Sequence, residues 1–237
     1  MELIIEVTRN CNQECMHCLR GEQQNIRIKN EYITSMLEQI KTLDVCYNVC
    51  FTGGEPTLNL EAIEFYMEEC KRLNINHDGF YIVTNGNDLG MEFIKTCLKL
   101  YALAGDKEFC KVDLSNDNAH EYIEDEELEL IKGLSFFSNK FDENLYWDID
   151  NVIYEGNAKE NFSRGRIKSV HEINNKEELN DTEVYLNCKG NIINGCDWSY
   201  ESQDNREDIF ICQVDKFVEY YNSLPEFECD NLPTLTW

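Results

Sequence analysis

The chain is short of basic residues. Only 21 lysines and arginines stand against 46 aspartates and glutamates, a formal charge of −25 over 237 residues. A surface this negative repels phosphate backbones, and the basic residues are scattered singly, so no nucleic-acid partner is expected. No apolar run approaches the ~20 residues of a membrane span, and no membrane partner is expected either. Low-complexity tracts and internal repeats of fixed period are absent, which sets aside linker-like and solenoid chains. With 3 prolines and 12 glycines, and 42% hydrophobic residues, the composition is that of an ordinary globule. The opening MELIIEVTRN has a short apolar core, no basic n-region and no small-residue cleavage site. It reads as a first strand rather than a leader, and the expected location is a cytoplasm.

Cysteine is what the chain has in excess, with 12 in all. A disulfide framework belongs to short secreted chains, and this core is large enough without one. Metal ligation, catalysis and burial as small hydrophobes remain. Cys46, Cys50, Cys70, Cys97 and Cys110 fall on or beside apolar positions of expected strands and helices, and are expected to be buried.

Strands and helices alternate through the first half. LIIEVT (3–8), NVCFTG (48–53), GFYIVTNG (79–86) and CKVDLSND (110–117) read as strands. Between them, 31–43, 60–75 and 91–105 carry apolar residues at helical spacing, with Asn59 placed to cap the second helix. Single helices between strands imply parallel pairing by crossover. A barrel, full or partial, and an open doubly wound sheet both satisfy this pattern, and both put chemistry at the C-terminal ends of the strands. Further on, 124–137 is expected to be helical and DNVIYEG (150–156) a fifth strand. The stretch 157–183 reads as a loop region with a short helix. VYLNCKGNIINGCDWSY (184–200) reads as a strand and hairpin turning at Lys189-Gly190-Asn191, and 215–224 as a last helix.

The residues that stand out gather where strands end. NCNQECMHCLRG (10–21) sets Cys11, Cys15 and Cys18 directly after the first strand, spaced Cys-x3-Cys-x2-Cys. Three thiolates on one loop suit either zinc or iron. A structural zinc site wants a fourth protein ligand; His17 lies between two cysteines, and no Cys-x2-Cys partner knuckle follows. A four-iron cubane held by three cysteines keeps one iron open for a substrate or cosubstrate. Gly53-Gly54-Glu55 ends the second strand. Thr84-Asn85 ends the third strand, and Ser115-x-Asp117 the fourth. His120 reads as a surface or packing histidine.

On these residues the chain resembles the radical S-adenosylmethionine superfamily. The triad, Gly53-Gly54-Glu55-Pro56, Thr84-Asn85 and Ser115-x-Asp117 follow that family's motifs in order over residues 3–117, about half the chain. His17 departs from the aromatic residue usual at its position. The resemblance implies an α/β fold, a partial (β/α)6 TIM-like barrel, with a small C-terminal β-hairpin/helix extension. The barrel core is expected over 1–165, and the last barrel element plus the extension over 166–237. It also implies one 4Fe-4S cluster on Cys11, Cys15 and Cys18. S-adenosylmethionine would be contacted by Gly53, Gly54, Glu55, Thr84, Asn85, Ser115 and Asp117. Reductive cleavage would give methionine and a 5′-deoxyadenosyl radical that takes hydrogen from a small-molecule or peptide substrate. The electron would come from a low-potential donor such as flavodoxin or ferredoxin.

Cys188, Cys196, Cys212 and Cys229 lie late, in turn-rich polar sequence. GNAKENF (156–162) followed by CKGNIINGC (188–196) resembles a pared-down SPASM or twitch extension, which holds auxiliary clusters in some relatives. Four thiolates suffice for one cluster. The last two gaps here, of 15 and 16 residues, lack the close pairs of the full extension, so the expectation is against an auxiliary cluster. GCDWSYESQD (195–204) offers Cys196 and Tyr200 as candidate catalytic groups or substrate wall, if it folds over the barrel mouth. Two other readings stand beside the radical enzyme: an activase that makes a glycyl radical on a partner protein, and a non-catalytic module in which the triad is structural.

Overall fold

Strand β1 (Glu2–Thr8) is buried along nearly its whole length because it pairs on both edges and is covered on both faces. It lies inside one eight-stranded sheet ordered β5-β4-β3-β2-β1-β6-β7-β8. A computed structural model describes residues 1–87, 89–115, 126–139 and 152–226. The remaining strands are β2 (Asn48–Gly53), β3 (Phe80–Thr84), β4 (Lys111–Leu114), β5 (Phe137–Asn139), β6 (Glu183–Leu186), β7 (Asn191–Asn194) and β8 (Phe210–Gln213). Strands β1 to β6 run parallel, and β7 and β8 are added antiparallel. The fold is therefore the expected α/β partial barrel, with a hairpin continuing its sheet beyond β6.

The long helices form because their apolar residues recur every three or four positions. Ile33, Met36, Leu37 and Ile40 line α1 (Asn30–Leu43), and Ala62, Ile63, Tyr66, Met67, Cys70 and Leu73 line α2 (Leu60–Leu73). Each of these helices stops at a polar residue in the left-handed conformation, Asp44 at φ 53° and Asn74 at φ 55°. Asp and Asn tolerate that geometry where β-branched residues do not. With α3 (Met91–Leu103), α1 and α2 cover one face of the sheet, burying Leu3, Ile5 and Val7 of β1 in the larger core. Each such side chain contributes about 1.5–3 kcal/mol by leaving water. The opposite face carries Ile4, Cys50, Tyr185 and Ile193, covered by Trp198 and Ile209 in a second, smaller core.

Several expectations are corrected. Of the helix read over 124–137, the described residues form α4 (Glu126–Lys132), and its last residue, Phe137, instead opens β5. Gly133 ends the helix, and Phe136 packs against Phe80 and Tyr101, which brings Phe137 to the edge of β4. The segment expected as a fifth strand at 150–156 contributes, among the described residues, one isolated bridge between Ile153 and Arg166. A short helix, α5 (Gly156–Asn161), begins at its end, and α6 (Lys176–Asn180) precedes β6. The hairpin β6–β7 turns at 187–190, beginning two residues before the expected Lys189-Gly190-Asn191, and Asn191 already opens β7. Helix α7 (Tyr200–Asn205) follows β7, and α8 (Phe217–Ser223) packs beside α1. Asn59 occupies the N-cap position of α2 without capping it; its Nδ2 donates to the Val7 carbonyl at 2.7 Å and so ties the helix start to the end of β1. Cys46 is exposed, in the joint between α1 and β2, while Cys50, Cys70, Cys97 and Cys110 are buried. Among the described residues no helix is long and apolar enough to cross a membrane.

Candidate active site

The loop leaving β1 is fastened at several points while its three cysteines remain half-buried. The Cys11 N–H donates to Gln23 Oε1 at 3.2 Å. On the far side, Asn157 at the start of α5 donates its N–H to the Cys18 carbonyl at 2.9 Å and its Nδ2 to the Cys15 carbonyl at 3.1 Å. Asn161 Nδ2 reaches the Met16 carbonyl at 3.3 Å. This contact requires Gly156: a Cβ there would lie 2.3 Å from the Gly21 nitrogen and 2.5 Å from the Leu19 oxygen. The GNAKEN segment is thus a clamp on the cysteine loop, a role its sequence did not disclose.

Gly53 and Gly54 are explained by packing against the first strand. A Cβ on Gly53 would meet the Thr8 oxygen at 2.1 Å, and one on Gly54 the Asn10 oxygen at 2.2 Å and the Cys11 Cβ at 3.1 Å. The backbone bonds Gly54 N–H to Thr8 and Glu55 N–H to Asn10, both at 2.9 Å, depend on that approach. Two bare residues therefore let the end of β2 lie against the root of the cysteine loop. Glu55 is buried; its carboxylate accepts from the Thr57 N–H at 3.1 Å, the Thr84 hydroxyl at 2.8 Å and the Asn85 N–H at 2.8 Å. Burial raises its pKa above the usual carboxylate range, against the pull of the Asn85 and Thr57 N–H groups and the Thr84 hydroxyl. Three donors leave room at the two oxygens for a further one.

Asn85 joins the two motifs. Its N–H holds Glu55, and its Nδ2 lies 2.8 Å from Asn12 Oδ1 and 3.8 Å from Cys11 Sγ. The Ser115 N–H donates to the Thr84 carbonyl at 2.8 Å, extending the row to β4. Asp117 and His120 lie outside the described residues. The cysteine loop, Glu55, Thr84, Asn85 and Ser115 therefore share one edge of the sheet, the C-terminal ends of β1 to β4.

On the other side of β1, β6 and α7 enclose a buried ionic group that the sequence reading missed. Arg9 and Glu6 are both buried and meet at 2.8 Å. Arg9 also donates to Asp204 and Gln203, each at 3.0 Å, and its guanidinium lies 4.7 Å from the Tyr200 ring centroid. Glu6 additionally accepts from the Tyr185 hydroxyl at 2.7 Å and the Cys188 N–H at 3.0 Å. Burial would raise the Glu6 pKa, but Arg9 and Arg20, with hydrogen bonds from Arg9 and Cys188, hold it below the usual range. The hairpin segment does cover this face: Trp198 is buried and its indole donates to the Asn194 carbonyl at 2.7 Å. Tyr200 is buried here, and the Cys196 thiol lies 3.4 Å from Asp197 Oδ1. Burial, with Asp197 and Glu183 nearby, pushes the Cys196 thiol well above its ordinary pKa, which disfavours a thiolate role.

The late cysteines are dispersed. Cys188 and Cys212 belong to the larger core, Cys196 lies beside the smaller one, and Cys229 is outside the described residues. Among the described residues no three metal-ligating side chains are drawn together as a set. The triad nevertheless fits an iron–sulfur cluster in its chemistry. It offers three half-buried thiols on one short loop, and carbonyls of that loop are held by Asn157 and Asn161, so its backbone is fixed apart from its sulfurs.

The model of the radical SAM superfamily matches residues 5–132. Uncharacterized protein MJ0907 of Methanocaldococcus jannaschii is 32% identical over 68 residues, 29% of this chain and 24% of that protein. MJ0804 of the same organism is 32% identical over 91 residues, 38% of this chain and 28% of that protein. The matched stretches span about a quarter of the length of these relatives. Among solved structures, BtrN in complex with AdoMet and 2-DOIA superposes with a TM-score of 0.51 at 16% identity, over 95% of this chain and 87% of that chain. That likeness is one of fold.

Proposed function

Because the chain belongs to the radical SAM superfamily, we propose that it is a radical enzyme whose site is the C-terminal edge of β1 to β4. The observation that carries the reading is the chain of contacts Cys11–Asn85–Glu55, which links the cysteine loop to the carboxylate on β2. In this reading Cys11, Cys15 and Cys18 hold one 4Fe-4S cluster. When bound, the cluster supplies the electron that cleaves S-adenosylmethionine to methionine and a 5′-deoxyadenosyl radical, which abstracts hydrogen from a small-molecule or peptide substrate. Glu55 receives the cosubstrate ammonium at its remaining acceptor position, oriented by Thr84 and Asn85. Gly53 and Gly54 keep β2 against the loop, and Ser115 and Asp117 flank the nucleoside. Trp198 and its neighbours close the opposite side and exclude water. Residues 1–165 form the catalytic core, and 166–237 supply the last barrel strand and that wall. A flavodoxin- or ferredoxin-type donor in a reducing cytoplasm provides the electron.

The test is direct. The native chain, reconstituted with iron and sulfide without oxygen and reduced with dithionite, should convert S-adenosylmethionine to 5′-deoxyadenosine. A loaded cluster with no such product defeats the reading, as does zinc without iron in anaerobically prepared protein.

Glu55→Gln separates binding from assembly. A charge-assisted hydrogen bond is worth about 1.5–3 kcal/mol, so cosubstrate affinity should fall about 10- to 150-fold with the cluster retained. Calorimetry on the anaerobic holoprotein reads this, and loss of iron from the variant would instead make Glu55 a structural residue. The pH sign follows from the raised pKa. The ionised carboxylate pairs with an ammonium, so affinity should rise as pH climbs from 4.5 through the folded Glu55 pKa, and this rise should be absent in the glutamine variant.

A further inference from the structure

Arg20 is a part-buried cation without an ion pair among the described residues. One guanidinium N–H donates to the Trp198 carbonyl at 2.9 Å, and the group lies 5.1 Å from the Tyr185 ring centroid. Three carboxylates on this face have closer cations, and a fourth, Glu155, is held by the Ser199 and Ser202 hydroxyls at 2.7 and 2.9 Å. Glu6 is held by Arg9 at 2.8 Å, Asp204 by Arg9 at 3.0 Å and Lys189 at 2.8 Å, and Asp197 by Lys168 at 2.6 Å. Beside Arg20 stands Tyr200, 2% exposed, whose hydroxyl has no hydrogen-bond partner among the described residues. The two are fixed together, since the Tyr200 N–H donates to the Arg20 carbonyl at 3.0 Å. Arg20 stands two residues beyond Cys18, and its guanidinium bonds the carbonyl two residues before Tyr200, so the pair adjoins the cysteine loop.

A sequestered cation and an idle buried hydroxyl each carry a desolvation cost that a ligand would relieve. We propose that Arg20 and the Tyr200 hydroxyl form a subsite for a carboxylate group of the substrate. The guanidinium offers its remaining N–H groups to the carboxylate oxygens, and the phenol donates a further hydrogen bond. In a chain of net charge −25 an acidic substrate needs a local cation where it docks. The inference rests on the radical reading for the word substrate, while the binding itself is independent of it. A carboxylate could also come from the methionine part of the cosubstrate. Glu55, Thr84 and Asn85 lie on the β2–β3 side of β1, whereas Tyr185 and Trp198 place Arg20 on the β6 side, so the substrate is the source assigned.

The experiment uses acetate as the probe. Thermal unfolding of the anaerobic holoprotein is followed in sodium acetate against sodium chloride at equal ionic strength, and an apparent acetate affinity is extracted. Arg20→Gln should weaken that affinity at least about tenfold, and Tyr200→Phe about threefold, while Tyr200→Phe preserves the ring packing. If Arg20→Gln fails to fold, Arg20→Lys keeps the charge without the planar fork and should bind acetate several-fold more weakly. Equal acetate affinity in the native chain and the folded variants overturns the subsite. Saturating S-adenosylmethionine should leave acetate binding unchanged; if it abolishes acetate binding, the subsite is the cosubstrate's and the substrate assignment falls. Deoxyadenosine formation is scored separately in the native chain, and its absence would sink the radical reading while leaving the acetate result standing.

Discussion

Cys15→Ala is expected to leave the chain folded, unable to retain a four-iron cluster, and without detectable 5′-deoxyadenosine. Cys15 is the middle cysteine of the loop and is half-buried, outside any helix or strand. Its replacement should shift stability of the metal-free chain by no more than about 0.5 kcal/mol, as for substitutions away from packed features. Loss of a direct ligand exceeds the 10- to 100-fold penalties typical of residues that only support a ligand. Affinity for the cluster should therefore fall by more than about 100-fold, enough to leave the variant without it. The decisive comparison is between iron and sulfide content and far-ultraviolet circular dichroism on the same preparation. A variant that keeps four irons and forms product at the native rate would remove Cys15 from the ligand set and leave the triad without its assigned role.

What could be read beforehand divides along sequence distance. The stripes at 33, 36, 37 and 40 and at 63, 67, 70 and 73 determine α1 and α2 because a helix is specified by residues three and four apart. The strand-end motifs were also legible, each being a short local pattern. Their mutual contact, Glu55 with Thr84 and Asn85, follows once parallel strands are placed side by side. The reason for Gly53 and Gly54 was read differently: they admit the Thr8 and Asn10 backbone. The Arg9–Asp204 pair spans 195 positions and Tyr185–Glu6 spans 179, so no local pattern announces either one. Arg20 did carry a signal, standing two residues beyond the last loop cysteine, but its environment depends on β6 and Trp198 joining from far along the chain. Strand β5 was misplaced because Phe136 and Phe137 suit a helix stripe as well as a strand, and only packing on Phe80 and Tyr101 decides between them.

That long-range ionic group carries the second large prediction. Arg9→Met should destabilise the chain by about 3–5 kcal/mol, because Glu6 is left buried without its nearest cation. In a protein of this size that corresponds to a fall in melting temperature of about 6–20 °C. Methionine keeps much of the arginine stem's volume, so the cost is chiefly electrostatic. Glu6→Gln in the Arg9→Met background should recover part of the loss, since removing both charges costs less than stranding one. The pH dependence supplies an independent check. With a folded pKa held below the usual value of 4.5, Glu6 stabilises the native chain above pH 4.5, and that contribution disappears as pH falls through the lower folded value. In Arg9→Met the depression is relieved or reversed, so this acid-side loss attributable to Glu6 should shrink or vanish. Melting temperatures measured down to acid pH for the native chain, Arg9→Met and the double variant read both effects. A single variant as stable as the native chain across that range would mean that Arg9 does not hold Glu6, and that β1 and α7 are joined by packing alone.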